Sequence, residues 1–402
     1  MSTYTPLVAS LPSTVPFVGP ETQERARGSV FTARLGANES VFGPSPLVIR
    51  AMTEAAADVW KYGDPENHDL KAALAAHHGV APGNIVVGEG IDGLLGYLVR
   101  MFVEPGVTVA TSLGAYPTFN FHVAGFGGRL VTTPYVDDHE DPESLLSLAT
   151  RENARLIYIA NPDNPMGTRH SAERMQAMIN AVPDGALLVL DEAYSEFAPE
   201  GTCPAIDVSR PNVIRMRTFS KAYGMAGARV GYAIAEEGLA TAFNKVRNHF
   251  GVNRIAQAGA LAALADQGYL RNVVRQVAEA RDRITAIAEG HGLKTVPSAT
   301  NFVAIDCGRD GAYAKSVLDA LIARDIFVRM PFAEPQNRCI RVCAGRPVDL
   351  DAFEARRGPH HALANPIGHF HRGAHIGHDL QSFECSADTL IGQETDPNRW
   401  AI

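Results

Sequence analysis

The sequence predicts an α/β protein: a mostly parallel, doubly wound sheet of seven strands flanked by helices, with a smaller α+β domain attached. Three observations predict it. Seven short apolar runs, at 84–87, 107–110, 129–132, 155–160, 186–190, 213–216 and 230–235, alternate with segments of helical period. The runs are continuous in apolar character, as in strands buried on both faces of a helix-covered sheet. Five of them are followed at once by a polar, specific signal, and open α/β sheets bind ligands at that carboxyl edge.

Composition sets the outer limits. With 402 residues, 46% hydrophobic and 20% charged, the chain has room for one large core and a second, smaller one. A net charge of -8 and a pI near 6.0 give no reason to expect nucleic acid or an anionic membrane as partner. The opening Met1-Ser-Thr-Tyr-Thr-Pro6 has no basic residue ahead of an apolar core. No apolar run reaches the roughly 18 residues that span a bilayer, so a cytoplasmic location is expected. Five cysteines (203, 307, 339, 343 and 385) include no CxxC pair; Cys339 and Cys343 are spaced to share one face of a strand. They are expected as buried thiols, with no disulfide frame and no metal.

The elements follow in order. Residues 1–33 are Pro- and Thr-rich without sustained period and are expected as an extended N-terminal arm. Ser45 as N-cap with Pro46 at the first helical position starts a helix carrying Leu47, Val48, Ala51, Met52 and Ala55 on its face. After Trp60-Lys-Tyr62 comes a polar stretch and then a helix over 70–77. The large domain is expected over 61–285. Its first strand leads into Gly88-Glu-Gly90-Ile91-Asp92 and a helix opening at Gly93, whose free amides and dipole would hold a phosphate. Gly114-Ala-Tyr116-Pro117 follows the second strand and Asn161-Pro-Asp-Asn164-Pro-Met-Gly167 the fourth. Asp191-Glu-Ala-Tyr194 follows the fifth, and Thr218-Phe-Ser220-Lys221 the sixth. A lone Asp there is usually a helix cap and a lone Tyr usually packing, but five such signals on one edge are hard to attribute to capping.

Residues 253–290 carry Ala-rich helical periodicity, and 298–305, 326–329 and 338–343 alternate as strands of a half-exposed sheet. Segments 34–60 and 286–355 are therefore expected to form the smaller domain. From residue 356 to 402 the pattern becomes irregular and His-rich, with six of the 14 histidines, and carries no assigned function.

The chemistry centres on Lys221. A lysine in a turn is ordinarily a solvated charge. This one sits among small residues, with Ser220 beside it and Arg229 eight positions on, conditions that favour a lowered pKa and an imine-forming amine. Gly224-x-x-Gly227 lacks the third glycine and the acidic residue of a dinucleotide fingerprint. A lysine amine, an acid to keep a ring nitrogen protonated (Asp191), a phenol and an amide for a ring hydroxyl (Tyr194, Asn164) and a phosphate site together fit pyridoxal 5'-phosphate.

In these motifs, in Ala37-Asn-Glu39 with Gly43-Pro-Ser-Pro46, and in Tyr62, the sequence resembles the fold-type I pyridoxal-phosphate enzymes of aminotransferase class I/II, most closely the histidinol-phosphate aminotransferase group. The resemblance covers roughly residues 33 to 355. It implies that Lys221 binds the cofactor and moves the proton at the substrate's α-carbon, and that Asp191 pairs with the pyridine nitrogen. Tyr194 and Asn164 would hold the ring oxygen, and Tyr116 would stack on the ring. Ser220, Arg229, Thr218 and the amides of Gly90, Ile91 and Asp92 would take the phosphate. Tyr62 would reach the neighbouring subunit's cofactor, which implies a homodimer with shared sites. Arg341 would hold the substrate carboxylate, with Arg329, Asn38 and Phe17 around the substrate. The expected partners are a small-molecule amino donor and a 2-oxo acid acceptor, glutamate and 2-oxoglutarate among them.

The chain departs from the group at Ile91, at Met166, at Phe17 where a tyrosine is usual, and in the apolar loop 330–334. An aromatic amino acid donor, or a lyase or decarboxylase reaction on the same fold, are the alternatives. A non-catalytic regulator would need a helix-turn-helix or basic patch that neither terminus offers.

Overall fold

The structure, a computed structural model, describes residues 3–13 and 18–355. In chain order its strands are β1 (Ala33–Arg34), β2 (Ile85–Gly88), β3 (Thr108–Ser112), β4 (Arg129–Thr133), β5 (Leu156–Ala160), β6 (Leu187–Asp191), β7 (Val213–Thr218), β8 (Gly231–Ala235), β9 (Lys294–Thr295), β10 (Phe302–Asp306), β11 (Ile326–Phe327) and β12 (Cys339–Cys343).

All seven expected runs are strands of one sheet, in the order β2-β8-β7-β6-β5-β3-β4, with only β8 antiparallel to its neighbours. The continuous apolar runs arise because both faces are covered. Leu156 and Tyr158 of β5 face a core shared with Leu94, Leu98 and Phe119 of helices Gly90–Phe102 and Pro117–Gly125. Ile157 and Ile159, one residue out of phase, face Leu145, Met175 and Met178 of helices Pro142–Arg151 and Ala172–Asn180. Successive strand side chains point to opposite faces, so both faces must be apolar wherever a polar group would find no partner.

Beyond the large sheet lie an antiparallel sheet, β9-β10-β12, and the parallel pair β1-β11. The expectation of a half-exposed sheet does not hold here. Phe302, Val303, Ala304 and Ile305 are all buried, as are Ile340 and Val342, because helices Gln267–Glu289 and Gly311–Ile322 pack on it. The first of these is about 34 Å long at 1.5 Å per residue and touches both Ser195–Phe197 beside the large sheet and β10. Segment 33–34 joins β11, whereas helix Pro46–Ala56 packs on helix Arg254–Ala265. Its start is as expected: Ser45 accepts the Val48 N–H at 3.3 Å with Pro46 following.

The arm is not simply extended. It holds helices Pro6–Ser10 and Pro20–Arg27, and the second is tied down by charge, Arg27 to Asp325 and Glu24 and Glu21 to Arg34. Its helix shows little apolar period because these ion pairs, not an apolar stripe, fix it. The His-rich segment 356–402 and Phe17 lie outside the described residues.

Candidate active site

The carboxyl edge of the large sheet opens into a cavity of about 340 Å³. Ile91, Asp92, Tyr116, Asn164, Asp191, Tyr194, Thr218, Ser220, Lys221 and Arg229 all line it, although they come from six separate stretches of sequence.

Asp191 is the last residue of β6, in register with Ala160 of β5 and Met216 of β7, so its carboxylate leaves the sheet at that edge. It is 5% exposed. The Tyr158 hydroxyl donates to Oδ2 at 2.8 Å and the Ala193 N–H to Oδ1 at 2.9 Å. Burial pushes its pKa up to about 6, against the pull of those two donors and of Lys221.

Lys221 stands in the turn that leaves β7. Thr218 Oγ1 accepts the Ser220 N–H at 3.0 Å and donates to Ser220 Oγ at 2.9 Å, which closes the turn. Gly224 has φ +71°, and a Cβ there would lie 2.3 Å from the Gly43 carbonyl, so no larger residue fits. The half-buried Lys221 donates from Nζ to the Asn38 carbonyl at 3.2 Å and lies 5.6 Å from the Tyr194 ring centre. Burial pushes the amine down to about 8; Arg341 adds to the lowering while Cys343, Asp92 and Glu39 oppose it. Arg229, for which the sequence argued, lines the same cavity but is not among the groups that shift Lys221; it donates to the carbonyls of Ala226 at 2.9 Å and Glu89 at 3.5 Å.

The helix after β2 begins at Gly90, three residues before the expected Gly93. Gly90 has φ +78°, which turns strand into helix within one residue, and a Cβ there would come 2.7 Å from Arg229 Nη2. The N–H groups of Gly90, Ile91 and Asp92 therefore fall in the first turn, where no intrahelical acceptor exists. Arg229, itself at φ +55°, brings its guanidinium beside them, 3.9 Å from Asp92 Oδ2, and Ser220 lies on the same wall. The Tyr116 hydroxyl donates to Asp92 Oδ1 at 2.7 Å, which fixes its ring.

Arg341, on β12, donates from Nη1 to Asn164 Oδ1. That leaves the Asn164 amide hydrogens for the cavity. The Arg341 Nε is buried with no protein partner, and the guanidinium carbon lies 5.0 Å from the Phe302 ring centre. Arg329 pairs with Arg341 through the backbone, at 2.6 and 3.3 Å, and donates from Nη2 to the Val18 carbonyl at 2.8 Å. The Asn38 side chain is engaged within the protein: Nδ2 donates to the Tyr194 hydroxyl at 2.9 Å and Oδ1 accepts from the Cys343 thiol at 3.2 Å. Tyr62 is 77% exposed and lies against Phe250, 4.7 Å between ring centres, away from this chain's cavity.

Sequence reasoning missed Tyr158, Glu39 and Ala193 on the cavity wall. Tyr158 was legible: a phenol within an aliphatic, doubly buried strand needs an acceptor for its hydrogen. Glu39 and Ala193 stand beside residues that were singled out, and nothing in their own spacing marks them.

The donor set fits pyridoxal phosphate: a helix N-terminus with a guanidinium for the phosphate, a buried carboxylate for the ring nitrogen, and a lysine whose pKa is lowered by burial. An open sheet carrying that set at its carboxyl edge defines a pyridoxal-phosphate enzyme of fold type I. The chain matches the aminotransferase class I and II family over residues 32–353, and it belongs to that family. It is 36% identical over 339 residues to a histidinol-phosphate aminotransferase of Carboxydothermus hydrogenoformans, covering 83% of this chain and 92% of that one. An aromatic amino acid aminotransferase of Rhodococcus opacus is 35% identical, covering 80% and 88%. A crystal structure of histidinol-phosphate aminotransferase from Sinorhizobium meliloti in complex with pyridoxal-5'-phosphate superposes with a TM-score of 0.87 at 56% identity, covering 91% of this chain and 98% of that one.

Proposed function

We propose that this pyridoxal-phosphate-dependent transaminase takes histidinol phosphate as amino donor and passes the amino group to a 2-oxo acid, 2-oxoglutarate in the first instance. One observation carries the chemistry: Asp191 and Lys221 line the same cavity, with pKa values drawn toward each other, to about 6 and about 8. The substrate rests on the Sinorhizobium meliloti neighbour, at 56% identity over nearly the whole of both chains.

Bound in the cavity, the cofactor supplies a cationic ring that withdraws electrons from the substrate's α-carbon. The chain's own residues do the rest. Asp191, ionised above about pH 6, accepts the ring N–H and keeps it cationic. The Asn164 Nδ2 and the Tyr194 hydroxyl donate to the ring oxygen, since Asn164 Oδ1 is taken by Arg341 and Tyr194 receives its acceptor bond from Asn38. The amides of Gly90, Ile91 and Asp92, with Ser220 and Arg229, bind the phosphate. Lys221, with its pKa near 8, is neutral in a useful fraction and holds or moves the proton at the α-carbon. Arg341 offers its unpaired Nε to an anionic group of the substrate, with Arg329 alongside.

The same reading makes the enzyme a cytoplasmic homodimer, with segments 34–60 and 286–355 closing over substrate. Val59, Trp60, Tyr62 and Phe250 are exposed large apolar side chains, and the Tyr62 and Phe250 rings lie 4.7 Å apart; on this reading Tyr62 would reach the partner's cofactor phosphate. Among the described residues no helix is long and apolar enough to cross a membrane, and the four described cysteines carry no disulfide. An aromatic donor is the second reading, favoured by the Rhodococcus opacus relative. Rates with histidinol phosphate, phenylalanine, tyrosine and glutamate against 2-oxo acids decide between them. A higher kcat/KM for phenylalanine than for histidinol phosphate would overturn the first, and loss of the amine without its appearance on an acceptor would point to a lyase.

A further inference from the structure

Four groups of the site meet at Asn38. Its backbone carbonyl accepts from Lys221 Nζ at 3.2 Å and from Asn301 Nδ2 at 3.1 Å. Its side-chain Nδ2 donates to the Tyr194 oxygen at 2.9 Å. Its remaining polar atoms both go to one thiol: the Asn38 N–H donates to Cys343 Sγ, and the Cys343 S–H donates to Asn38 Oδ1, each at 3.2 Å. Asn38 sits in the left-handed region at φ +56°, which Asn tolerates better than most residues. Both residues are buried, at 4% and 1% exposure, so none of these bonds is exchanged freely for water. Cys343 is fixed in turn as the last residue of β12, where its N–H donates to the Leu35 carbonyl at 2.8 Å.

The two ends of an asparagine amide are not equivalent: Oδ1 only accepts and Nδ2 only donates. The sulfur is already occupied as an acceptor by the Asn38 N–H, so what it has left to give is its hydrogen. That hydrogen needs Oδ1. With Oδ1 on the thiol, Nδ2 must face Tyr194, and the Tyr194 oxygen must accept there. Its own hydrogen is then directed elsewhere, and among the described residues no side chain or carbonyl takes it. Burial raises the phenol pKa, so the hydrogen stays on. A flipped amide would reverse the chain: Oδ1 would draw the phenol hydrogen away from the cavity, and the sulfur would face two donors.

We propose that Cys343 is a positioning residue which, through Asn38, sets the direction of the hydrogen-bond chain that turns the Tyr194 hydroxyl hydrogen into the cavity, onto the cofactor's ring oxygen. This rests on the cofactor reading above. A hydrogen bond donated to that oxygen draws off negative charge, so a proton held beside it binds less tightly. Losing the donation raises the pH at which the bound cofactor's visible absorption changes.

The test is a spectrophotometric titration of the reconstituted enzyme from pH 5 to 10. Cys343→Ser keeps a donor and an acceptor, and its midpoint should stay within about 0.2 pH units of wild type. Cys343→Ala and the better-filling Cys343→Val should raise it by about half a unit or more, the scale set by one modest hydrogen bond. In a Tyr194→Phe background the alanine change should add nothing, because the hydroxyl it orients is gone. Unshifted midpoints in both Cys343→Ala and Cys343→Val would overturn the proposal, as would a shift that persists undiminished with Tyr194→Phe. If one of the two variants does not fold, the other still reports. A wild-type enzyme that develops no visible band with the cofactor would instead overturn the reading on which this rests.

Discussion

Tyr158 is fully buried in β5, its ring stacked on Phe119 with centres 4.6 Å apart, and its hydroxyl donates to Asp191 Oδ2 at 2.8 Å. Tyr158→Phe removes one oxygen and leaves the ring packing in place. Asp191 already lies near pKa 6 because burial outweighs its two donors. A hydrogen bond to a charged group is worth about 1.5–3 kcal/mol and one pKa unit about 1.4, so losing this donor should raise the carboxyl by roughly one to two units. At pH 7 the ionised fraction then falls from about nine-tenths toward a half or less, by the ordinary titration relation. The assay is cofactor affinity of the apoenzyme as a function of pH, with the acid limb of kcat/KM as a second measure. Affinity at pH 7 should weaken severalfold and recover by about pH 9, and the acid limb should move up by about one unit. Affinities for wild type and Tyr158→Phe that agree within twofold from pH 6 to 9 would refute the claim that this hydroxyl holds Asp191 ionised.

Lys221→Met should abolish transamination and stabilise the apoenzyme in a pH-dependent way. The amine's folded pKa is depressed to about 8 from 10.5, so the penalty is absent above 10.5 and complete once pH has fallen through 8. The melting temperature should rise at pH 6.5 and barely change at pH 10.5; equal shifts at both would sink the burial account. Gly90→Ala puts a Cβ 2.7 Å from Arg229 Nη2 at φ +78° and should weaken cofactor binding roughly five- to thirtyfold by titration, the scale of one or two kcal/mol of strain. Arg341→Lys exchanges a planar fork for a point charge and should raise KM for the donor by roughly tenfold or more with a smaller effect on kcat, measured by steady-state kinetics.

The chemistry was legible because it is carried by residue types that have few other uses in such places. Lys221, Asp191, Asn164 and Tyr194 each follow an apolar run directly, and the seven runs announce a sheet whose carboxyl edge must gather them. The half-exposed expectation for β10 and β12 failed because burial of a sheet face depends on which helices later pack on it. The helix start at Gly90 was placed late because a left-handed glycine that opens a helix has the same sequence mark as one that ends a turn. Arg229 was given a role near Lys221 on sequence proximity alone, whereas Arg341, 120 positions on, is the cation whose charge adds to the lowering of the Lys221 pKa.

By itself the sequence determined the strands, the edge on which function gathers, and the cofactor chemistry, since these follow from local periodicity and from the residues that end each run. Only the tertiary structure decided how those residues are held: Tyr158 on Asp191, Arg341 on Asn164, and Cys343 on Asn38 and hence on Tyr194. Such pairings join positions from 33 to 305 residues apart in the chain, and their geometry is a product of packing, to which no local pattern is sensitive.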